Sequence, residues 1–107
     1  MIERLLSALN DELRALASEA GEDIFGGALE DGSAFVRRFS DDVERWISMA
    51  ASGELTQDEL EFLIQAKLQV AQMETLKQKG LAAARLDQLR RDLTRAVAGS
   101  VFRIARP

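Results

Sequence analysis

The sequence predicts an all-α protein, on three observations. Leu, Ala, Glu, Arg and Gln dominate the 107 residues, and all are strong helix formers. The one proline is the last residue, Pro107, so it interrupts no helix. Apolar residues recur at three- and four-residue spacing along most of the chain. The length fits a single helical domain over residues 1–107 with a core of modest size.

The first helix is predicted from about residue 2 to residue 20. Ile2, Leu5, Leu6, Leu9, Leu13, Leu16 and Ala17 form one apolar stripe, and Gly21 stands where a C-terminal cap glycine belongs. Residues 21–33 read as a structured loop, because Gly21, Gly26, Gly27 and Gly32 weaken any helix there. Ile24, Phe25 and Leu29 are expected to tuck that loop onto the bundle. The second helix is predicted over 34–51, with Ser33 as its N-cap and Gly53 as its stop signal. Phe35, Phe39, Val43, Trp46, Ile47 and Ala50 share one face of it, and Trp46 reads as a core residue.

The next start is the sharpest local signal in the chain. Thr56-Gln57-Asp58-Glu59 is a capping box followed at once by an apolar run, with Leu55 placed to act as a hydrophobic staple. The run has two apolar faces. Leu60, Ile64, Leu68 and Ala71 lie on one; Phe62, Leu63, Ala66, Val70 and Met73 lie on the other. Two apolar faces call for neighbours on two sides.

Gly80 decides the architecture. Lys77-Gln78-Lys79-Gly80 resembles a helix end, which would make a four-helix bundle with a break near Gly80. Against that, Leu81-Ala82-Ala83-Ala84 offers no capping residue. Leu86, Leu89, Leu93 and Val97 also continue the Leu60 stripe in phase, within an arc of about 80° at 100° per residue. The favoured reading is therefore two shorter antiparallel helices packed on one long C-terminal helix, from Thr56 to Ala98 or beyond. At about 1.5 Å per residue that helix is roughly 65 Å long. The shorter helices cannot cover it.

Composition removes most chemistry. There is no cysteine, so disulfides and thiolate metal sites are excluded, and the absence suits a cytoplasmic protein. There is no histidine, the commonest general base and metal ligand, and no tyrosine. Carboxylate neighbours such as Glu30/Asp31 and Asp41/Asp42 read as solvated faces and caps, since sequence neighbours on a helix diverge. The 21–33 segment fits neither a calcium loop nor a phosphate cradle. No apolar run approaches a membrane span, and Met1-Ile2-Glu3-Arg4 is amphipathic rather than a signal peptide. The prediction is a non-enzymatic chain with no catalytic residue, no cofactor and no metal.

Charge points to association. Residues 1–60 carry 5 basic and 14 acidic groups, whereas residues 61–107 carry 9 basic and 4 acidic ones. The halves are expected to face each other, within one chain or between two. The predicted function is helical oligomerisation and protein binding, with a homodimer as the first expectation and another protein as an alternative partner. The expected interface is Leu86, Leu89, Leu93 and Val97, and Lys67 and Glu74, two charges in the apolar arc, either snorkel out to water or pair across it. The competing reading is a peripheral adaptor whose basic face, Arg85, Arg91, Arg95 and Arg103, meets an anionic membrane or nucleic acid. The overall acidity and lack of stacking aromatics disfavour nucleic acid, and a membrane surface is not favoured.

Overall fold

The computed structural model describes residues 2–16, 21–70 and 73–106. The described residues are all-α and form six helices: α1 (Ile2–Leu16), α2 (Glu22–Arg38), α3 (Ser40–Ala51), α4 (Gln57–Val70), α5 (Glu74–Lys77) and α6 (Ala83–Ala105). The described part of α1 follows the predicted stripe, with Leu5, Leu9 and Leu13 fully buried. The predicted continuation over 17–20 lies outside the described residues.

Residues 22–38 are helical, so the glycine-rich segment is not a loop, and Ser33 lies inside α2 rather than capping a helix. The reason is packing. A Cβ on Gly27 would sit 3.1 Å from the Leu76 side chain, and one on Gly32 would sit 3.1 Å from Leu93 and 3.2 Å from Leu9. These glycines let α2 approach α1, α5 and α6 closely, and the burial gained outweighs a helix-propensity cost of about 1 kcal/mol each. Ile24, Phe25 and Leu29 do pack on the core, as helix residues.

The predicted 34–51 helix is divided at Phe39, whose φ of −107° and ψ of 34° leave the helical region. Arg37 and Arg38 close α2, and Asp41 and Asp42 open α3. Each charge thereby sits at the helix end whose dipole favours it. That basic-then-acidic order was the sequence signal for the break. Trp46 is buried as expected, and Gly53 ends the turn after α3 with φ 82°. The capping box forms in full: Glu59 N–H donates to Thr56 Oγ1 at 3.2 Å, and Thr56 N–H donates to Glu59 Oε1 at 2.9 Å.

The long helix from Thr56 to Ala98 does not exist. Its span is divided into α4, α5 and α6, and the break near Gly80 is the arrangement found. Gly80 has φ 70°, Ala82 is extended, and α6 starts without any side-chain cap. The in-phase stripe was misleading, because helical phase records which side is apolar but not which way the chain runs. Reversal lets α1, α2, α3 and α4 all pack on α6. Leu89, Leu93 and Val97 are at most 1% exposed, and Leu86 is half-buried. Leu89, Leu93 and Val97, three of the four side chains of the expected dimer interface, are thus covered by the chain's own helices, and Leu86 is covered in part. Size agrees with closure: the accessible surface is 5952 Å², against about 5,900 Å² for a compact 11.8 kDa monomer.

Two glycines give a paired test of these assignments. Gly26 lies in α2 with nothing within 4 Å of an added Cβ, so Gly26→Ala is expected to stabilise by about 0.5–1 kcal/mol. Gly80→Ala is expected to destabilise by about 1–2 kcal/mol, because the left-handed backbone crowds a Cβ. Urea unfolding of both variants checks the two signs. A stabilising Gly80→Ala would refute the reversal.

Candidate functional site

The two halves of opposite charge do meet, and they meet within one chain. Arg103 of α6 binds Glu12 at 2.7 Å and reaches Asp11 at 3.6 Å. Lys79 binds Asp23 at 2.6 Å, and Lys67 reaches Asp42 at 3.2 Å. Each pair joins a basic residue beyond position 60 to an acidic residue before it. All are partly exposed, so each contributes modestly to stability and mainly aligns the helices.

Lys67 therefore has a partner inside its own chain. Its ammonium also lies 5.1 Å from the Phe39 ring centroid. It holds the Asp42 carboxyl below the usual carboxylate range, and Arg45 adds to that effect. Glu74 lies elsewhere, exposed in the first turn of α5. The structure does not bring Lys67 and Glu74 together as one charged contact. Of the predicted basic face, Arg103 is taken up by α1, while Arg85, Arg91 and Arg95 remain exposed on α6.

α4 carries the surface that the fold leaves unfinished. Its Leu60, Ile64 and Leu68 face is buried at 0–2% exposure. Of the second apolar face, Met73 is buried, but the part around Phe62 is not covered. Phe62 is 73% exposed, the one large apolar side chain left so among the described residues. Ala66 beside it is exposed, and Leu63 is half-buried. Leu55, Asp58, Glu59, Phe62 and Leu63 line a shallow depression of about 460 Å³. The capping box at Thr56 and Glu59 fixes the start of α4, and so fixes where this depression lies. Glu59, drawn below the usual carboxylate value by the Thr56 N–H, stays charged at its rim.

No protein-family model, curated protein or solved structure matches the chain. Among the described residues, no three His, Cys, Asp or Glu side chains gather where they could hold a metal ion. No described helix is long and apolar enough to cross a membrane.

Sequence reasoning had marked the Phe62 face as apolar but expected it to be covered. Its exposure depends on which helices pack beside α4, and no local signal records that. The polar cleft on the other side of α4, described below, was missed for the same reason.

Proposed function

We propose that this protein is a non-enzymatic helical interaction module that pairs with a second copy of itself through the outward apolar face of α4. The observation that carries this reading is the exposure of Phe62 beside Leu63 and Ala66. Scattered exposed apolar residues are ordinary, but one helical face of three is a surface seeking a cover. A large apolar side chain left in water forgoes about 1.5–3 kcal/mol of burial.

A second copy fits because the face carries both signs of charge. Glu59 and Lys67 flank Leu63 at equal distances along the helix. In an antiparallel pair of α4 helices centred on Leu63, each Glu59 falls opposite Lys67 of the partner subunit. Two-fold pairing of this kind is self-complementary. Lys67 keeps 40% of its side chain exposed while bound to Asp42, so it can serve both contacts. The cysteine-free composition suits the reducing cytoplasm, where we place the module.

The face is small. α4 has 14 residues, which makes it about 21 Å long. It buries less than the roughly 800 Å² per partner of a standard interface. The expected dimer is accordingly weak, with a dissociation constant on the order of micromolar or above.

Light scattering on a size-exclusion column tests this directly. The expected result is a mass rising from about 12 kDa toward about 24 kDa between low and high micromolar loading. Phe62→Glu is expected to hold the mass near that of one chain at every loading with little change in melting temperature, since the side chain is already exposed. A wild-type chain that stays at one-chain mass throughout sinks the self-pairing.

A further inference from the structure

We infer that the cleft between α4 and α6 binds a small phosphorylated polyol, with Arg91 and Arg95 gripping the phosphoryl group. This site is separate from the Phe62 face and does not depend on self-pairing.

The cleft follows from the sequence of two helices. α4 and α6 pack through buried Leu60, Ile64 and Leu68 on one side and Leu89 and Leu93 on the other. Above that seam, α4 presents Glu61, Gln65 and Gln69 at four-residue spacing, and α6 presents Asp87, Arg90, Arg91, Thr94 and Arg95. These side chains are long and polar, and they leave a half-open cleft of about 290 Å³ between them. Every lining residue is polar or charged, which excludes an apolar ligand.

Its charge is unbalanced at one place. Arg90 spends a donor on Asp87 at 2.9 Å. Arg91 donates to the neutral Gln88 carbonyl at 3.1 Å. Among the described residues, neither Arg91 nor Arg95 has a carboxylate partner within 4.0 Å. Side chains four apart on a helix project from the same face, and Arg91 and Arg95 both line the cleft. That arrangement matches one tetrahedral oxyanion, which accepts from both guanidinium forks.

The remaining lining selects the body of the ligand. The cleft exceeds what a bare phosphate fills. Glu61 and the Gln65 and Gln69 carboxamides stand on its opposite wall, where they accept from and donate to hydroxyl groups. Glu61 and Asp87 also disfavour a polyanion. A nucleic-acid strand along α6 would run past both, on a chain of net charge −4. A single phosphomonoester avoids that repulsion.

The test is a titration of the isotope-labelled full chain with glycerol 3-phosphate at constant ionic strength. Arginine Nε–H and glutamine side-chain resonances report the binding. Saturating shifts are expected at Arg90, Arg91, Arg95, Gln65 and Gln69, with a midpoint on the order of 1 mM. Arg95→Ala is expected to weaken binding about ten-fold, the loss of one charge-assisted contact. Glu61→Gln is expected to tighten it about three-fold by removing a repelling charge, a gain that no folding defect mimics. Arg85→Ala, outside the cleft on the same helix, is expected to change nothing. Shifts that do not saturate, that appear equally at Arg85, or that survive Arg95→Ala overturn the site. Tighter binding of a DNA oligonucleotide or of anionic phosphatidylglycerol vesicles through these arginines overturns the small-ligand assignment. Repeating the titration in the Phe62→Glu background is expected to give the same midpoint.

Discussion

Leu93→Ala is expected to lower stability by roughly 2–5 kcal/mol, the cost of emptying a fully buried leucine site. Leu93 is 0% exposed and its Cδ2 meets the place where a Gly32 Cβ would stand, so α2 and α6 touch through it. For a chain of this size the melting temperature is expected to fall by on the order of 10–20 °C. The mass in solution is expected to be that of the wild type at each loading. The pair of readouts matters because an uncovered stripe on a long helix would respond in the opposite way. Truncation would then dissociate an assembly and barely affect the folding of one chain. Denaturant unfolding with light scattering on the same sample separates the two. A mass change with stability held within about 0.5 kcal/mol would refute the closed bundle.

Asp31→Ala is expected to cost about 2–4 kcal/mol and to loosen one segment before the rest. Asp31 is 9% exposed, and its two carboxylate oxygens accept from the Thr75 N–H at 3.0 Å and the Leu76 N–H at 2.9 Å. Those donors open α5, which has only four residues and no cap of its own. A helix that short is not stable by propensity. It is held by this carboxylate from α2 and by burial of Met73 and Leu76, at 2% and 0% exposure. Alanine leaves two backbone donors without an acceptor, each worth about 1–3 kcal/mol when buried. Asn keeps one acceptor and turns an amide N–H toward the other donor, so Asp31→Asn is expected to lose roughly half as much. Amide exchange at Thr75 and Leu76 is expected to accelerate well beyond that of α6. Unchanged exchange at those two positions would show that Asp31 does not hold α5.

These two residues also mark where sequence reading succeeds and fails. Leu93 was recognised as part of an apolar stripe, because its spacing from Leu86, Leu89 and Val97 is a property of the local chain. What covers it was misjudged. The stripe's phase is the same whether the chain continues past Gly80 or reverses there. Asp31 was read with Glu30 as a solvated pair, yet its partners lie 44 and 45 residues away. Gly27 and Gly32 were read as loop markers on propensity. Their role is visible only once Leu76, Leu9 and Leu93 are in place beside them.

The sequence by itself determined the all-helical class, the start of α4 at its capping box, the burial of Trp46 and the opposition of acidic and basic halves. Each rests on contacts within a few residues or on summed composition, and such signals survive without knowledge of the fold. Only the tertiary structure decided that the chain reverses at Gly80, that α2 runs through its glycines, and that Phe62 rather than Leu93 faces water. Those outcomes turn on whether burial between distant helices exceeds local costs of about 1 kcal/mol per glycine. Burying one large side chain contributes about 1.5–3 kcal/mol, so packing won at the α2 glycines, while Phe62 stays exposed because no helix of the chain packs over it.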